Sequence, residues 1–160
     1  GGHSWSPVAS ALDEDVHQVA TCSTEPNRVY ANTASSVFVS EDRGHSWSDR
    51  GRDLKHRYGR AMAVHPRDAD CLLASVSDGP HGGCGQLFRS DDAGRSWTHV
   101  THGFPKVSER NIDTFQVVFD PHGIGWVALE RLLYRSGDRG QNWEVAWEAP
   151  DRICLLASGR

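Results

Sequence analysis

The residues best suited to chemistry sit in connecting stretches of the chain. Asp78 and Glu109, with Asp113 close by, are the carboxylates that fit a glycosidase pair. Such a pair needs two carboxyl groups facing across one glycosidic bond, and the separation sets the stereochemical outcome. A second stretch, residues 50–60, carries five cations, a His and a Tyr in eleven residues. Arginine forks grip carboxylate, sulfate or phosphate bidentately, so Arg52 and Arg57 are candidate ligand-binding residues. Tyr58 is a candidate platform for a sugar ring. The competing reading of this stretch is a solvated charged loop. His81 lies in a glycine-rich insertion, Ser77–Gly85, whose backbone can approach a ligand closely. The competing reading there is a length variant. Cys84 stands in the same insertion, but none of the four cysteines forms a C-x-x-C pair. No metal and no cofactor are expected from that pattern.

The elements that must position these residues are announced by a repeated octapeptide. Ser40–Trp47, Ser90–Trp97 and Ser136–Trp143 all read S-x-D-x-G-x-x-W. Gly2-His3-Ser4-Trp5 repeats Gly44-His45-Ser46-Trp47 letter for letter. In this pattern Asp42, Asp92 and Asp138 can accept backbone N–H bonds and close a turn. Ser40, Ser90 and Ser136 can add a second local bond. Gly44, Gly94 and Gly140 can take φ > 0, and Trp47, Trp97 and Trp143 can bury a ring at the start of the next strand. The three Asp are therefore structural. As catalytic acids they would stand at well-separated, equivalent places and could not share one site.

Short β-branched and aromatic runs between Pro, Gly, Asn and Asp punctuation predict four strands per repeat. The first repeat gives 16–21, 28–32, 36–40 and a strand from 46. The second gives 60–64, 71–76, 86–90 and 97–100. The third gives 114–119, 125–129, 132–136 and 142–146. Four short antiparallel strands per repeat of this length is the pattern of a β-propeller blade. In that topology the octapeptides join the third strand to the fourth and share a face with the turns between strands one and two. The remaining connections share the opposite face, where function is sought.

These octapeptides resemble Asp boxes, or bacterial neuraminidase repeats. The run Ala63–Ala74 followed by Leu87–Trp97 is similar to glycosyl hydrolase-like repeat proteins. The resemblance implies an all-β fold of propeller blades, about three complete blades plus terminal strands of a further one. It implies blades at about 14–50, 58–101 and 112–148, with terminal strands at 1–8 and 151–160, in a single propeller segment. Members of the family include sialidases, other glycosidases, receptors and assembly factors, so it sets the fold more firmly than the function. The sialidase Arg-Ile-Pro motif is absent; Arg152-Ile153-Cys154 matches its first two letters only.

An open fan of blades leaves strand edges that invite association, so the chain is expected to be a segment of a longer propeller or to close a ring as a homo-oligomer. A net charge of −4 argues against bulk affinity for nucleic acid. No apolar run approaches a membrane span, so a soluble domain is expected, with its compartment unknown. Cys22, Cys71 and Cys154 are expected as buried small apolar residues and Cys84 as exposed. The function these features favour is a non-catalytic module that binds a protein or glycan through its loop face. The alternative is a segment of a carbohydrate-active, sialidase-like hydrolase.

Overall fold

A computed structural model describes residues 2–5 and 12–158 of the chain. Twelve strands form three four-stranded antiparallel sheets, and no helix occurs among the described residues. The first sheet holds β1 (Val16–Cys22), β2 (Glu25–Thr33), β3 (Val37–Ser40) and β4 (Ser48–Asp49). The second holds β5 (Tyr58–His65), β6 (Asp68–Ser77), β7 (Gln86–Ser90) and β8 (Thr98–His99). The third holds β9 (Val117–Phe119), β10 (Gly125–Leu129), β11 (Leu132–Ser136) and β12 (Glu144–Glu148). Within each sheet the strands pair in chain order, and the first strands of successive sheets lie against one another. The all-β, blade-like architecture predicted from the repeats is therefore present.

Two cores hold the sheets together. Tyr30, Val37 and Val39 of the first sheet pack on Met62, Leu72, Ala74 and Val76 of the second. Ala61, Cys71, Leu73 and Leu87 on its other face pack on Val117, Phe119, Val127 and Tyr134 of the third. β6 is thus covered on both faces, which is why Cys71-Leu72-Leu73-Ala74 reads as a continuous apolar run without alternation. Each fully buried Leu there contributes about 2 kcal/mol. Buried polar groups cross the same seams. Asn32 Nδ2 donates to Ala61 O and Ser75 O, at 2.8 and 3.1 Å. Tyr30 Oη donates to Ala69 O at 2.5 Å.

The fourth strands start one or two residues later than expected, just past the octapeptide Trp, at Ser48, Thr98 and Glu144, and three larger details differ from the sequence expectation. β9 starts at Val117, not at residue 114, because a turn occupies residues 113–116. Gln116 N donates to Asp113 O at 3.0 Å, Asp113 N donates to Gln116 Oε1 at 2.7 Å, and Phe115 takes φ 63°. The expected terminal strand 151–160 forms no strand as far as residue 158, and 159–160 lie outside the described residues. Its backbone is tied instead to the turn regions of the third sheet, with Ile153 N on Glu130 O and Leu156 N on Phe115 O. Cys154 is consequently exposed, not buried. Of the strand expected over residues 1–8, positions 1 and 6–8 lie outside the described residues, and 2–5 belong to no strand.

The three octapeptides fold alike. In each, the Ser hydroxyl donates to the Asp carboxylate (2.8, 2.7 and 2.9 Å) and accepts the Gly N–H (2.7, 2.8 and 2.9 Å). The same Asp Oδ1 accepts the N–H of Ser46, Ser96 or Asn142. Gly44, Gly94 and Gly140 have φ of 89°, 77° and 84°, and the residue before each is also left-handed. These turns share a face with the turns between first and second strands: Arg43 N donates to Asn27 O and Ala93 N to Asp70 O.

Candidate binding face

The opposite face carries the long connections, and the second sheet's connection is built tightly. Asp78 Oδ1 accepts Gly83 N–H at 3.1 Å, and Gly82 N donates to Gly79 O. Asn111 Nδ2, from the connection that leads to β9, donates to Gly79 O and Pro80 O at 3.3 and 3.0 Å. Gly85 and Ser108 exchange two backbone hydrogen bonds. The insertion 77–85 is therefore stitched to the connection 100–116, and the two form one wall.

Beside that wall runs a groove of about 780 Å³. Pro105, Val107 and Glu109 line one side, and Leu132 and Tyr134 of β11 lie across from them. Tyr134 is buried under Phe104, ring centroids 4.7 Å apart, and burial pushes its phenol up. Val107 is half exposed, so the groove presents apolar surface to solvent. Its rim is ion-paired: Arg110 Nε stands 3.6 Å from Glu130 Oε1, and Arg131 Nη2 donates to Glu148 Oε1 at 2.6 Å.

The residues singled out in the sequence do not gather into one site. Glu109 lines the groove, whereas Asp78 is turned to its own loop and is not among the groove's lining residues. Arg52 and Arg57 do meet, on a single carboxylate. Asp49 Oδ2 lies 3.5 Å from Arg52 Nε and accepts from Arg57 Nη2 at 2.6 Å. Burial opposes ionisation of Asp49, but Ser36 Oγ, Gly51 N–H and the two guanidinium groups prevail and hold it below the usual carboxylate range. Arg52 keeps most of its side chain in solvent. Tyr58 is half-buried, its ring against His17 and under the Arg60 guanidinium, 5.1 Å from the centroid. His81 is exposed and belongs to a different pocket, with Arg60 and Arg152.

The apolar groove carries no sequence signal, because one wall is the 100–116 connection and the other is β11 of the third sheet, about twenty residues further on. Asp49 as the common partner of Arg52 and Arg57 was equally unmarked: it sits at a strand end among other charged residues. Among the described residues, no group of three or more His, Cys, Asp or Glu is placed to hold a metal ion. No helix among them is long and apolar enough to cross a membrane.

No family model matches the chain. A xyloglucanase of Hypocrea jecorina (strain QM6a) is 30% identical over 123 residues, 71% of this chain and 13% of that protein. An ancestral GH74 enzyme superposes with a TM-score of 0.67 at 23% identity, over 85% of this chain and 19% of its own. The chain belongs to the β-propeller fold. YCF48 bound to D1 peptide also superposes on this propeller, with a TM-score of 0.57 at 17% identity, over 82% of this chain and 39% of its own. The propeller chain described here thus spans about an eighth of the curated relative and a fifth of the GH74 structure.

Proposed function

We propose that this chain is a non-catalytic propeller segment that binds a protein or glycan partner through its loop face. The groove between the 100–116 connection and β11 carries the proposal. It has the volume of an ordinary ligand site, on the order of 300–1,000 Å³, and an apolar floor with a paired polar rim. Asp78 and Glu109 do not line it together, and its other carboxylates, Glu130 and Glu148, each hold an arginine. The D1 peptide on YCF48 supports a peptide occupant, and the xyloglucanase likeness supports a glycan. Arg52, a largely exposed cation of the 50–60 loop, extends the same face.

The test is a calorimetric titration of the protein with xyloglucan oligosaccharides and with a library of extended peptides. Saturable binding, weakened about tenfold or more by Leu132→Glu or Val107→Asp at unchanged melting temperature, is the expected outcome. Absence of binding to both ligand classes overturns it.

The second reading, a segment of a carbohydrate-active hydrolase, is favoured by the xyloglucanase likeness. It requires turnover of xyloglucan or a chromogenic glycoside that is lost in Glu109→Gln. We also read the repeats as Asp boxes and the blades as about 14–50, 58–101 and 112–148 of one segment. Association of two copies to close a ring is part of that reading, and light scattering on a sizing column reports it as a discrete dimer.

A further inference from the structure

A second pocket, of about 350 Å³, opens beside the start of β5. Arg60, His81, Arg110 and Arg152 line it, and Asp113 is the one carboxylate among its lining residues. The four basic groups come from four chain segments: β5, the 77–85 insertion, the connection before β9 and the run after β12. Asp113 serves two of them, at 3.8 Å from Arg60 Nε and 3.3 Å from Arg152 Nη2. Arg60 Nη2 donates to Pro80 O at 3.3 Å, which fixes the guanidinium against the insertion. Its Nε is buried and makes no hydrogen bond. Glu130, the partner of Arg110, belongs to the groove and not to this pocket. A guanidinium has five N–H donors, so all three arginines keep donors beyond these contacts.

The backbone around the pocket is set closely. A Cβ on Gly82 would lie 2.7 Å from Ser77 Oγ and 2.8 Å from Asn111 Oδ1 and Asp78 Oδ1. Only glycine lets the insertion lie against Asn111 and present His81 to the pocket.

We infer that this pocket binds a tetrahedral oxyanion, sulfate or phosphate, either free or as a monoester. Three guanidinium groups against Asp113 in the pocket and Glu130 beyond it leave positive charge in excess, and the His81 imidazole adds a hydrogen-bond donor. Donors that arrive from separate segments match oxygens spread over a tetrahedron, whereas a planar carboxylate is satisfied by a single fork. The inference does not rest on the groove reading, since Arg110 is the only residue common to the two cavities.

Inorganic phosphate, inorganic sulfate and glucose 6-phosphate are titrated into the protein by calorimetry, in chloride buffer of constant ionic strength. Saturable binding is expected, weakened about tenfold or more in Arg152→Glu and in His81→Ala, the loss of one charge-assisted hydrogen bond. Arg131→Ala, in the groove, keeps wild-type affinity. If Arg152→Glu fails to fold by its melting curve, His81→Ala decides. Sugar phosphate bound as tightly as inorganic phosphate assigns an ester, and preference for the inorganic ions assigns a free anion. No saturable signal above chloride, or equal affinities in wild type and both pocket variants, overturns the inference.

Discussion

Trp143 and Trp47 hold the same place in the same octapeptide, yet one is 5% exposed and the other is only half-buried. Their own turns hold the indole alike: each indole N–H donates to the Gly carbonyl three residues back, at 3.0 and 3.1 Å. The difference lies in what precedes them. Trp143 packs on Phe104, and its backbone N–H donates to His102 O, both from the connection that leaves the second sheet. Trp97 reaches back likewise, its indole donating to Arg50 O at 2.8 Å. The stretch that would serve Trp47 in this way follows Trp5 and lies outside the described residues. An octapeptide is thus one half of a joint, and the sheet before it supplies the other.

Alanine substitution tests that contrast most strongly. Trp143→Ala is expected to cost about 3–5 kcal/mol, the range for a buried aromatic. Trp97→Ala should cost less, and Trp47→Ala least, about 1–2 kcal/mol. Urea unfolding of the three variants gives the order directly, and equal losses would mean that the turn alone matters.

The glycines sharpen it. Gly44 and Gly140 have nearly the same φ, but a Cβ on Gly140 would lie 2.8 Å from Leu73 Cδ2, while on Gly44 the nearest atom is its own Trp47 ring at 3.6 Å. Gly44→Ala carries backbone strain alone, about 1–2 kcal/mol. Gly140→Ala adds a clash with the second sheet and should lower the melting temperature further. Matching shifts would argue that Leu73 yields without cost.

The smallest expected effect is on acid stability. Hydrogen bonds from Ser46 Oγ, Ser46 N–H and Ser40 Oγ lower the Asp42 carboxyl to about 2. For Asp92 and Asp138 burial works the other way, but the bonds from Ser96 and Asn142 outweigh it and both are lowered. A carboxyl lowered in the folded state stabilises above its unfolded pKa of about 3.9, and that stability is lost as pH falls toward the folded value. The melting temperature should therefore hold down to about pH 4 and fall between about pH 4 and 2. Asp42→Asn should flatten part of that fall by lowering the neutral-pH midpoint toward its acid value.

The fold was legible because its signals are local. Ser, Asp, Gly and Trp at fixed spacing specify a turn with their own side chains, and the carboxylate, hydroxyl and glycine act as the pattern required. Two things escaped. Arg43, Ala93 and Arg139 share the left-handed region with the glycine that follows them, although nothing in their side chains advertises it. The 114–119 strand lost its first three residues because the Gln116 side chain closes a turn on Asp113, a contact that β-propensity does not register. The candidate site was read far less well. Arg52 and Arg57 were found as a pair but not their acceptor, and Glu109 was found without the apolar groove it borders. The groove depends on the 100–116 connection packing beside β11, which spacing along the chain does not settle, and Asp49 precedes the two arginines by only three and eight residues with nothing in its surroundings to mark it as their partner.

The joint between each octapeptide and the sheet before it has a consequence for how the chain is made. Trp97 binds Arg50, 47 residues upstream, Asn32 and Ser75 stand 43 apart, and Arg89 reaches Arg139, 50 downstream. Most links between sheets span about one repeat, although Phe115 N reaches Gln18 Oε1 across 97 residues. The molecule therefore works like a row of bricks, each bedded on the one laid before it. As the chain emerges from the ribosome, a sheet can be seated once its own residues are out, with no need to wait for the far end.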